Sequence, residues 1–421
     1  MEHVEKLQSG SKKVQGMQSR DNVKNQKWAI LSLASIPLVM TLGNSMLIPV
    51  LPAMEKKLNI SAFQASMILT VYSIVAILLI PVAGCLSDYV GRKKVIIPSL
   101  FIAGIGGLIS GWAAWKMDDP YWLILAGRAL QGVGAAGAAP IVMPLIGDMF
   151  KSDEEVSSSL GMIETSNTFG KVLSPILGAF LAGFIWYLPF FSFPVFCTIS
   201  ILLVLFLVKT PKAKEEPLPF KEFIQNIKNT FKNNGRWLFA IFIIGVILMF
   251  VLFGVLFYLS EILEKTYDIK NIKKGFLLAV PLGALCISSY VTGKVIKEKK
   301  NLMKWIIFGG SVLLAISVAV LSFSNGMWFM IMLFVFSGIG IGIALPCLDA
   351  LITVGIEKKE RGTITSIYSS MRFIGVAAGP PVIAVLMKNA EKSLFYILSG
   401  LAILAVIATF MAIKPDEGEA K

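Results

Sequence analysis

The stretch ETSNTFGKVLSPILG (residues 164–178) decides the fold, because part of it recurs in the other half of the chain. Residues 170–175, GKVLSP, match residues 375–380, GVAAGP, at an offset of 205. A second match has an offset of 206, which agrees with the first to within one residue. In it, two glycines and a proline recur as Gly132, Gly134, Pro140 and Gly338, Gly340, Pro346. The two matches indicate an internal repeat and therefore two related halves.

The composition indicates a membrane protein. Of the 421 residues, 56% are hydrophobic and 15% are charged, and the mean hydropathy is +0.75. A soluble chain carries about 25% charged residues. Apolar segments long enough to cross a hydrocarbon core about 30 Å thick recur along the sequence. Twelve spans are predicted, at residues 28–52, 63–86, 95–115, 121–146, 158–184, 187–208, 237–260, 275–296, 302–323, 327–349, 363–387 and 394–413.

The spans predict an all-α polytopic fold of two pseudo-symmetric six-helix bundles, residues 28–208 and 237–413. Parallel repeats of this kind are typical of one large class of transporters, with the substrate path between the halves. Residues 1–27 and 414–421 are expected to be polar tails. The linker, residues 209–236, is expected to contain an amphipathic helix lying on the membrane surface, because five apolar residues share one helical face: Phe220, Phe223, Ile224, Ile227 and Phe231.

The net charge of +13 reports orientation in the membrane rather than binding to nucleic acid. Most of the 39 lysines and arginines fall on the same side as the two termini, which places both termini in the cytoplasm. Three cations, Arg128, Lys171 and Arg372, lie inside spans. The four cysteines show no metal-ligand spacing, so no metal or other cofactor is expected.

The loop after span 2 reads GCLSDYVGRKK (residues 84–94) and resembles the signature loop of the major facilitator superfamily. Asp88 and Arg92 are four residues apart, so a carboxylate–guanidinium contact with a neighbouring helix end could hold the cytoplasmic side closed. Gly84 and Gly91 would permit close approach and a turn. Alternatively, the cations simply follow the positive-inside rule, but that rule does not account for Asp88.

Two further segments carry the same resemblance. Residues 128–134, RALQGVG, look like the second motif of the superfamily, and Gly170, Ser174, Pro175 and Gly178 resemble its antiporter motif. The resemblance points to the twelve-span drug:proton antiporter branch, although Ser174 and Ala179 replace two glycines of the usual motif. In physical terms, these small residues form a close-packing face that Pro175 would kink.

Span 5 also carries a polar stripe. Glu164, Asn167, Thr168 and Lys171 are spaced i, i+3, i+4 and i+7 and share one helical face. A lipid-facing charge at this depth costs several kcal/mol, so the stripe is expected to face a water-filled cavity. About 10 Å of axial rise separates Glu164 from Lys171, which disfavours a direct pair in one straight helix. The alternative is a structural ion pair with another helix.

Other spans are expected to contribute to the same cavity. Arg128 and Arg372 would enter from spans 4 and 11, giving the cavity a nominal charge of +2 with Lys171 and Glu164. Four uncharged residues complete the candidate lining: Asn44, Phe253, Phe257 and Tyr368. The phenylalanines of span 7 form either a greasy cavity wall or ordinary packing.

The predicted function is secondary active export of amphipathic drugs across the plasma membrane in exchange for protons. Glu164 is the first candidate for the proton carrier, because burial and nearby cations such as Arg128 would act on its pKa in opposite directions. Asp349 and Asp88 are the next candidates. The positive cavity also favours an alternative, the export of an anionic lipid, a glycolipid or an acidic metabolite.

Other classes of protein fit less well. The sequence contains no nucleophile–base set or phosphate-binding loop of a membrane enzyme, and a channel or receptor would not need paired halves. The expected partners are a small amphipathic substrate and the lipid bilayer, without nucleic acid, and the expected state is a monomer. The lysine and isoleucine content hints at a bacterial source.

Overall fold

The computed structural model describes residues 26–150, 153–208, 220–296, 299–323, 326–356 and 358–413, and these ranges contain helices and no strand. Residues 1–25 of the predicted tail 1–27, the predicted tail 414–421 and residues 209–219 of the linker lie outside the described residues, and residues 26–27 already belong to the first helix. The twelve helical segments correspond one to one with the predicted spans. They run Gln26–Leu58, Ala62–Val90, Arg92–Lys116, Tyr121–Met149, Asp153–Phe184, Leu188–Leu207, Phe220–Lys265, Asn271–Ile296, Lys300–Val320, Met327–Gly355, Lys358–Asn389 and Glu391–Ala412.

Eleven of the helices are long and apolar enough to cross a membrane. Span 5 is too polar to meet that criterion because of its stripe, yet it is 32 residues long and packs against span 8 of the other half. A helix with buried polar residues can be accommodated in a bundle when those residues face other helices or water. The all-α fold predicted from the sequence is confirmed.

Two spans differ in detail from their predicted ranges. Span 1 is not one helix, because a turn at 46–47 and a 3-10 turn at Ile48–Val50 precede a short outer helix, Leu51–Leu58. Pro49 and Pro52 account for the interruption, since neither has the backbone N–H that a continuous helix requires. Span 7 is longer than predicted, as its helix continues back to Phe220 without a break. The surface position predicted for the linker helix stays a prediction.

The internal repeat is visible in the helix packing. A β-carbon on Gly132 would lie 2.4 Å from the carbonyl oxygen of Tyr72 in span 2. Its counterpart Gly338 stands in the same relation to span 8, where a β-carbon would lie 2.4 Å from the carbonyl oxygen of Pro281. Spans 2 and 4 therefore meet in the first half as spans 8 and 10 meet in the second.

The other repeated segment follows the same rule. A β-carbon on Gly178 in span 5 would lie 2.0 Å from the carbonyl oxygen of Met46 in span 1, and one on Gly375 in span 11 would lie 2.3 Å from that of Val246 in span 7. Such close approach of two backbones requires glycine. The pairing of spans 1 and 5 thus recurs as spans 7 and 11, which confirms two pseudo-symmetric halves.

The halves meet along two seams, span 2 with span 11 and span 5 with span 8. In the first seam, the hydroxyl of Thr70 donates a 2.7 Å hydrogen bond to the carbonyl oxygen of Ala377. In the second, a β-carbon on Gly275 would lie 2.5 Å from the carbonyl oxygen of Pro175. The cleft between the halves is bounded by these two seams.

Replacing Gly178 by alanine is expected to destabilise the protein by about 1–3 kcal/mol, because the new methyl group would overlap the backbone of span 1. Thermal unfolding of the purified protein in detergent measures the change. Gly161→Ala in the same helix is the matched control, since a β-carbon there meets nothing within 4 Å. We expect this control to be neutral or slightly stabilising. Equal stability of the two variants would contradict the close packing of spans 1 and 5.

Candidate substrate cleft

Charged side chains from both halves meet in the cleft. Lys171 of span 5 interacts electrostatically with Glu164 of its own helix, with Asp349 of span 10 and with Arg372 of span 11. Arg372 and Asp349 form an ion pair, with 3.3 Å between Nη1 and Oδ1. Tyr368, one helical turn before Arg372, is buried beside the same pair. The structure therefore brings together five of the predicted site residues, namely Glu164, Lys171, Asp349, Tyr368 and Arg372.

Hydrogen bonds hold the acidic end of the stripe in place. The hydroxyl of Thr41 in span 1 donates to Oδ1 of Asn167 at 2.6 Å, and the amide nitrogen of Asn167 lies 3.3 Å from both carboxylate oxygens of Glu164. Thr168 donates to the backbone carbonyl of Glu164 at 2.9 Å. The carboxylate of Glu164 is thus oriented by its own helix and by span 1.

Lys171 is the most enclosed charge of this group. Its side chain is 7% exposed and lines a small cavity between the halves, together with Ser45 of span 1 and Phe253 of span 7. Within the described part of the chain, its ammonium makes no hydrogen bond and no ion pair. The cavity measures about 10 Å³, roughly the space of one water molecule. A larger ligand can reach this ammonium only if the halves rearrange.

Arg128 lies outside this group, which differs from its expected place in the cavity. Its guanidinium is enclosed within the first half. It donates to the backbone carbonyls of Ile68 and Gly43 at 2.8 and 3.1 Å and to Oδ1 of Asn44 at 2.6 Å. The ring of Tyr72 lies 4.6 Å away. Asn44, also expected in the cavity, is committed to this guanidinium.

The change in membership alters the charge of the cleft. Arg128 was expected in the cleft but lies elsewhere, whereas Asp349 lies in it. The cleft therefore contains two cations, Lys171 and Arg372, and two anions, Glu164 and Asp349. Its nominal charge is zero rather than the expected +2. Because Arg372 and Asp349 already neutralise each other, Lys171 remains as the cation available to a ligand.

The two phenylalanines of span 7 are separated by the structure. Phe253 lines the cavity at Lys171. Phe257, one turn further on, is completely buried in an apolar core cluster. Of the two alternatives for this aromatic row, the cavity wall therefore applies to Phe253 and packing applies to Phe257.

The signature loop makes its ionic contacts within the first half. Arg92 forms a 2.9 Å ion pair with Asp88 and a second ion pair with Asp148 at the end of span 4. Gly91 has a φ of +104°, a conformation that favours glycine, and it joins spans 2 and 3. Towards the other half, a β-carbon on Gly84 would come within 3.8 Å of the hydroxyl of Ser366 in span 11. In this structure the loop ties spans 2 and 4 together rather than holding the halves closed.

The residues that resemble the antiporter motif lie at the centre of both contacts of span 5. Gly170 faces Leu38 and Thr41 of span 1, and the hydroxyl of Ser174 donates to the backbone carbonyl of Gly170 at 2.6 Å. Pro175 lies beside Lys171 in the cavity lining and against span 8. A shift of this helix would therefore move Lys171 as well.

Sequence reasoning missed a second charged group, at the end of the bundle formed by the loops after spans 1 and 7. We call this the outer end, in line with the predicted orientation. Six residues from both halves form what we name the outer ion cluster: Glu55, Lys56, Glu261, Glu264, Lys265 and Lys274. Close by, Ser260 donates a hydrogen bond to the carbonyl of Ile48 at 2.9 Å. The signal available in the sequence was opposite charge at the ends of spans 1 and 7.

Breaking the ion pair in the cleft is expected to reduce transport. Arg372→Gln leaves Asp349 without its cation, and we expect a loss of about tenfold in transport rate, since an uncompensated charge in a desolvated site is costly. Asp349→Asn combined with Arg372→Gln should recover part of the rate, because the pair is then removed as a unit. Uptake into vesicles measures the rates. A double variant as impaired as the worse single variant would show that the pair does not act as a unit.

Comparison with known proteins gives the family. The sequence profile of the Major Facilitator Superfamily matches residues 33–380 and, in an overlapping second match, residues 302–421. The chain belongs to the major facilitator superfamily. It is a multi-pass membrane transport protein and not an enzyme.

Its relatives are transport and resistance proteins. The chain is 55% identical over 391 residues to the bacillibactin exporter of Bacillus subtilis, a match covering 93% of this chain and 97% of the relative. It is 23% identical over 413 residues to multidrug resistance protein 2 of the same organism, covering 95% and 99%. The crystal structure of a human organic anion transporter, TETRAN, superposes with a TM-score of 0.72 at 16% identity, covering 91% of this chain and 99% of that one. That likeness concerns the fold alone.

Proposed function

We propose that this protein exports bacillibactin, or a closely related siderophore, from the cell in exchange for protons. The observation that carries the proposal is the 55% identity to the bacillibactin exporter over nearly the whole of both chains. The pseudo-symmetric halves supply the mechanism, since rocking of one half against the other can expose the cleft to each side in turn.

The geometry of the cleft fits a substrate with anionic oxygen atoms. Lys171 offers a buried ammonium without a partner among the described residues, and Phe253 places an aromatic ring on the same cavity. An ammonium that is desolvated gains more from an anionic ligand than one in water does. We propose that the exchanged proton is carried by the acids beside it, Glu164 and Asp349. Both interact electrostatically with Lys171.

Drug export is the second candidate. Identity of 23% to a multidrug resistance protein, together with the resemblance of residues 170–178 to an antiporter motif, supports it. It is weaker than the siderophore proposal because the sequence identity is lower. In addition, a neutral cleft that contains the ammonium of Lys171 does not favour lipophilic cations as substrates.

A Bacillus subtilis strain lacking its own bacillibactin exporter provides the test. Under iron limitation, expression of this chain should raise bacillibactin in the medium and lower it inside the cells, as measured by mass spectrometry. The same strain exposed to a panel of drugs tests the second candidate. Restored secretion without drug resistance supports the siderophore, whereas resistance without secretion contradicts it.

Everted membrane vesicles test the proton exchange. Addition of bacillibactin should dissipate an imposed pH gradient, and a protonophore should abolish its uptake. If uptake persists at full rate with the protonophore, transport is not coupled to protons, and the proposed substrate is unaffected by that result.

A further inference from the structure

The outer ion cluster distributes its cations unequally. Glu264 binds two lysines, Lys274 at 2.8 Å and Lys56 at 3.3 Å. The other two carboxylates share a single ammonium, since Lys265 lies 2.7 Å from Oε2 of Glu55 and 2.5 Å from Oε2 of Glu261. The group formed by Glu55, Glu261 and Lys265 therefore carries a net charge of −1 if both acids are ionised.

These two acids belong to opposite halves. Glu55 lies on the short outer helix of span 1, and Glu261 lies near the outer end of span 7. Their side chains are 9% and 1% exposed, and their carboxyl groups lie within hydrogen-bonding reach of each other. Two ionised carboxylates this close in a desolvated site repel each other strongly.

The carboxyl groups of the pair lack hydrogen-bond donors. Oε1 of Glu55 and both carboxylate oxygens of Glu261 are buried and have no hydrogen-bond partner among the described residues, although Oε2 of Glu261 forms an ion pair with Lys265. An ionised carboxylate can only accept hydrogen bonds, whereas a protonated one can donate. One proton on either acid would supply a donor to the other and satisfy a buried oxygen. It would also cancel the excess negative charge.

We propose that Glu55 and Glu261 form a proton-binding site that is complete only while the outer end is closed. The proton comes from water on the outer side and is shared between the two carboxyl groups as the halves meet. When the halves separate, each acid is hydrated and ionised, and the proton returns to the same side. Lys265 stays with the pair as its cation, while Lys56, Lys274 and Glu264 beside it carry a net charge of +1.

The consequence is a link between external pH and conformation. Closing the outer end takes up one proton, so acid on the outer side favours the closed form. For one proton, the ratio of closed to open molecules should change by at most about tenfold per pH unit. The role of this link in transport rests on the proposed function, because acid on the outer side would then favour the closed form of the empty carrier. Since the proton returns to the outer side when the halves separate, this site carries no net proton across the membrane. The site itself does not depend on the substrate.

Distance measurements between the two halves test the link. Spin labels on Lys57→Cys and Thr266→Cys, two exposed outer positions, report separation of the halves in a background without the native cysteines. The closed fraction should rise as the pH falls from about 8 to about 5. Glu261→Gln imitates the protonated acid and should stay closed at every pH, as should Glu55→Gln. Glu264→Gln is the matched control, since it removes a carboxylate of the same cluster and should keep the pH dependence.

Infrared spectroscopy of the native chain detects the proton directly. A carboxylic acid band should be present at neutral pH and should be lost in the double variant Glu55→Gln/Glu261→Gln but not in Glu264→Gln. The proposal is overturned if that band is missing in the native chain, or if Glu264→Gln abolishes the pH dependence as fully as Glu261→Gln. If the closed fraction depends on pH as described but the chain secretes no bacillibactin, the proposed function is refuted and the proton-binding site stands. Proton-driven secretion without such titration would refute the site alone.

Discussion

Replacing Arg128 by leucine is expected to leave little folded protein in the membrane. The guanidinium is 0% exposed and donates hydrogen bonds to two backbone carbonyls and to the side chains of Asn44 and Gln131. Leucine would leave these buried acceptors without a donor, at a cost of about 3–5 kcal/mol in total. Since marginal proteins have about 5–15 kcal/mol of stability, most of it would be lost.

Size-exclusion profiles and thermal unfolding in detergent measure this effect. Arg128→Lys should recover only part of the stability, because an ammonium cannot reproduce the planar fork that reaches spans 1 and 2 together. Arg236→Leu is the matched control. Arg236 is exposed and makes one hydrogen bond, to the carbonyl of Met411, so its loss should change stability by about 0.5 kcal/mol or less. If Arg128→Leu were as stable as this control and lost transport alone, Arg128 would belong to the transport site.

The contrast between Arg128 and Lys171 shows what the sequence could predict. Both are cations inside spans, and the cost of a charge that faces lipid led to the prediction of a water-filled cavity for both. Arg128 instead lies in a packed site of the first half, and Lys171 lines a cavity with room for about one water molecule. Which neighbours they meet depends on the packing of other spans. Arg128 is enclosed because the backbone carbonyls of Gly43 and Ile68 accept its hydrogen bonds. Every residue has a backbone carbonyl, so the sequence does not show which ones act as acceptors. The fold was predictable because twelve apolar segments and two matched glycine motifs specify it. Which residues lie in the cleft was only partly predictable, because that depends on how the spans pack.

The outer ion cluster escaped prediction for a related reason. Glu55 and Glu264 stand at span ends, where charges are ordinary, and nothing local shows that they are buried. Their burial follows from the short outer helix of span 1, which folds across the end of span 7 after the interruption at Ile48–Val50. The predicted span 1 ended at residue 52, so the prediction did not contain the helix that carries Glu55.

If the proposed function holds, replacing Lys171 by methionine is expected to reduce the transport of bacillibactin by about 10- to 100-fold while the protein stays folded. A hydrogen bond to a charged group contributes about 1.5–3 kcal/mol, which corresponds to that range of affinity. Within the described residues the ammonium has no partner to lose, so the apolar replacement should not destabilise the fold. Uptake into everted vesicles gives the rate and thermal unfolding gives the stability. Lys294→Met, an exposed lysine on span 8, is the matched control and should transport normally.

The same loss could arise without any contact between Lys171 and the substrate, because its removal leaves the cleft with a charge of −1. The double variant Lys171→Met/Glu164→Gln separates the two explanations, since it restores neutrality without restoring an ammonium. If Lys171 binds the anionic group of the substrate, the double variant stays as impaired as Lys171→Met. If it merely balances Glu164 and Asp349, the double variant recovers transport, and the anionic group must be bound elsewhere. Lys171→Arg completes the series, because it keeps the charge but fills a cavity with room for only about one water molecule. Intermediate transport by this variant is expected if the cleft opens around the substrate before Lys171 contacts it.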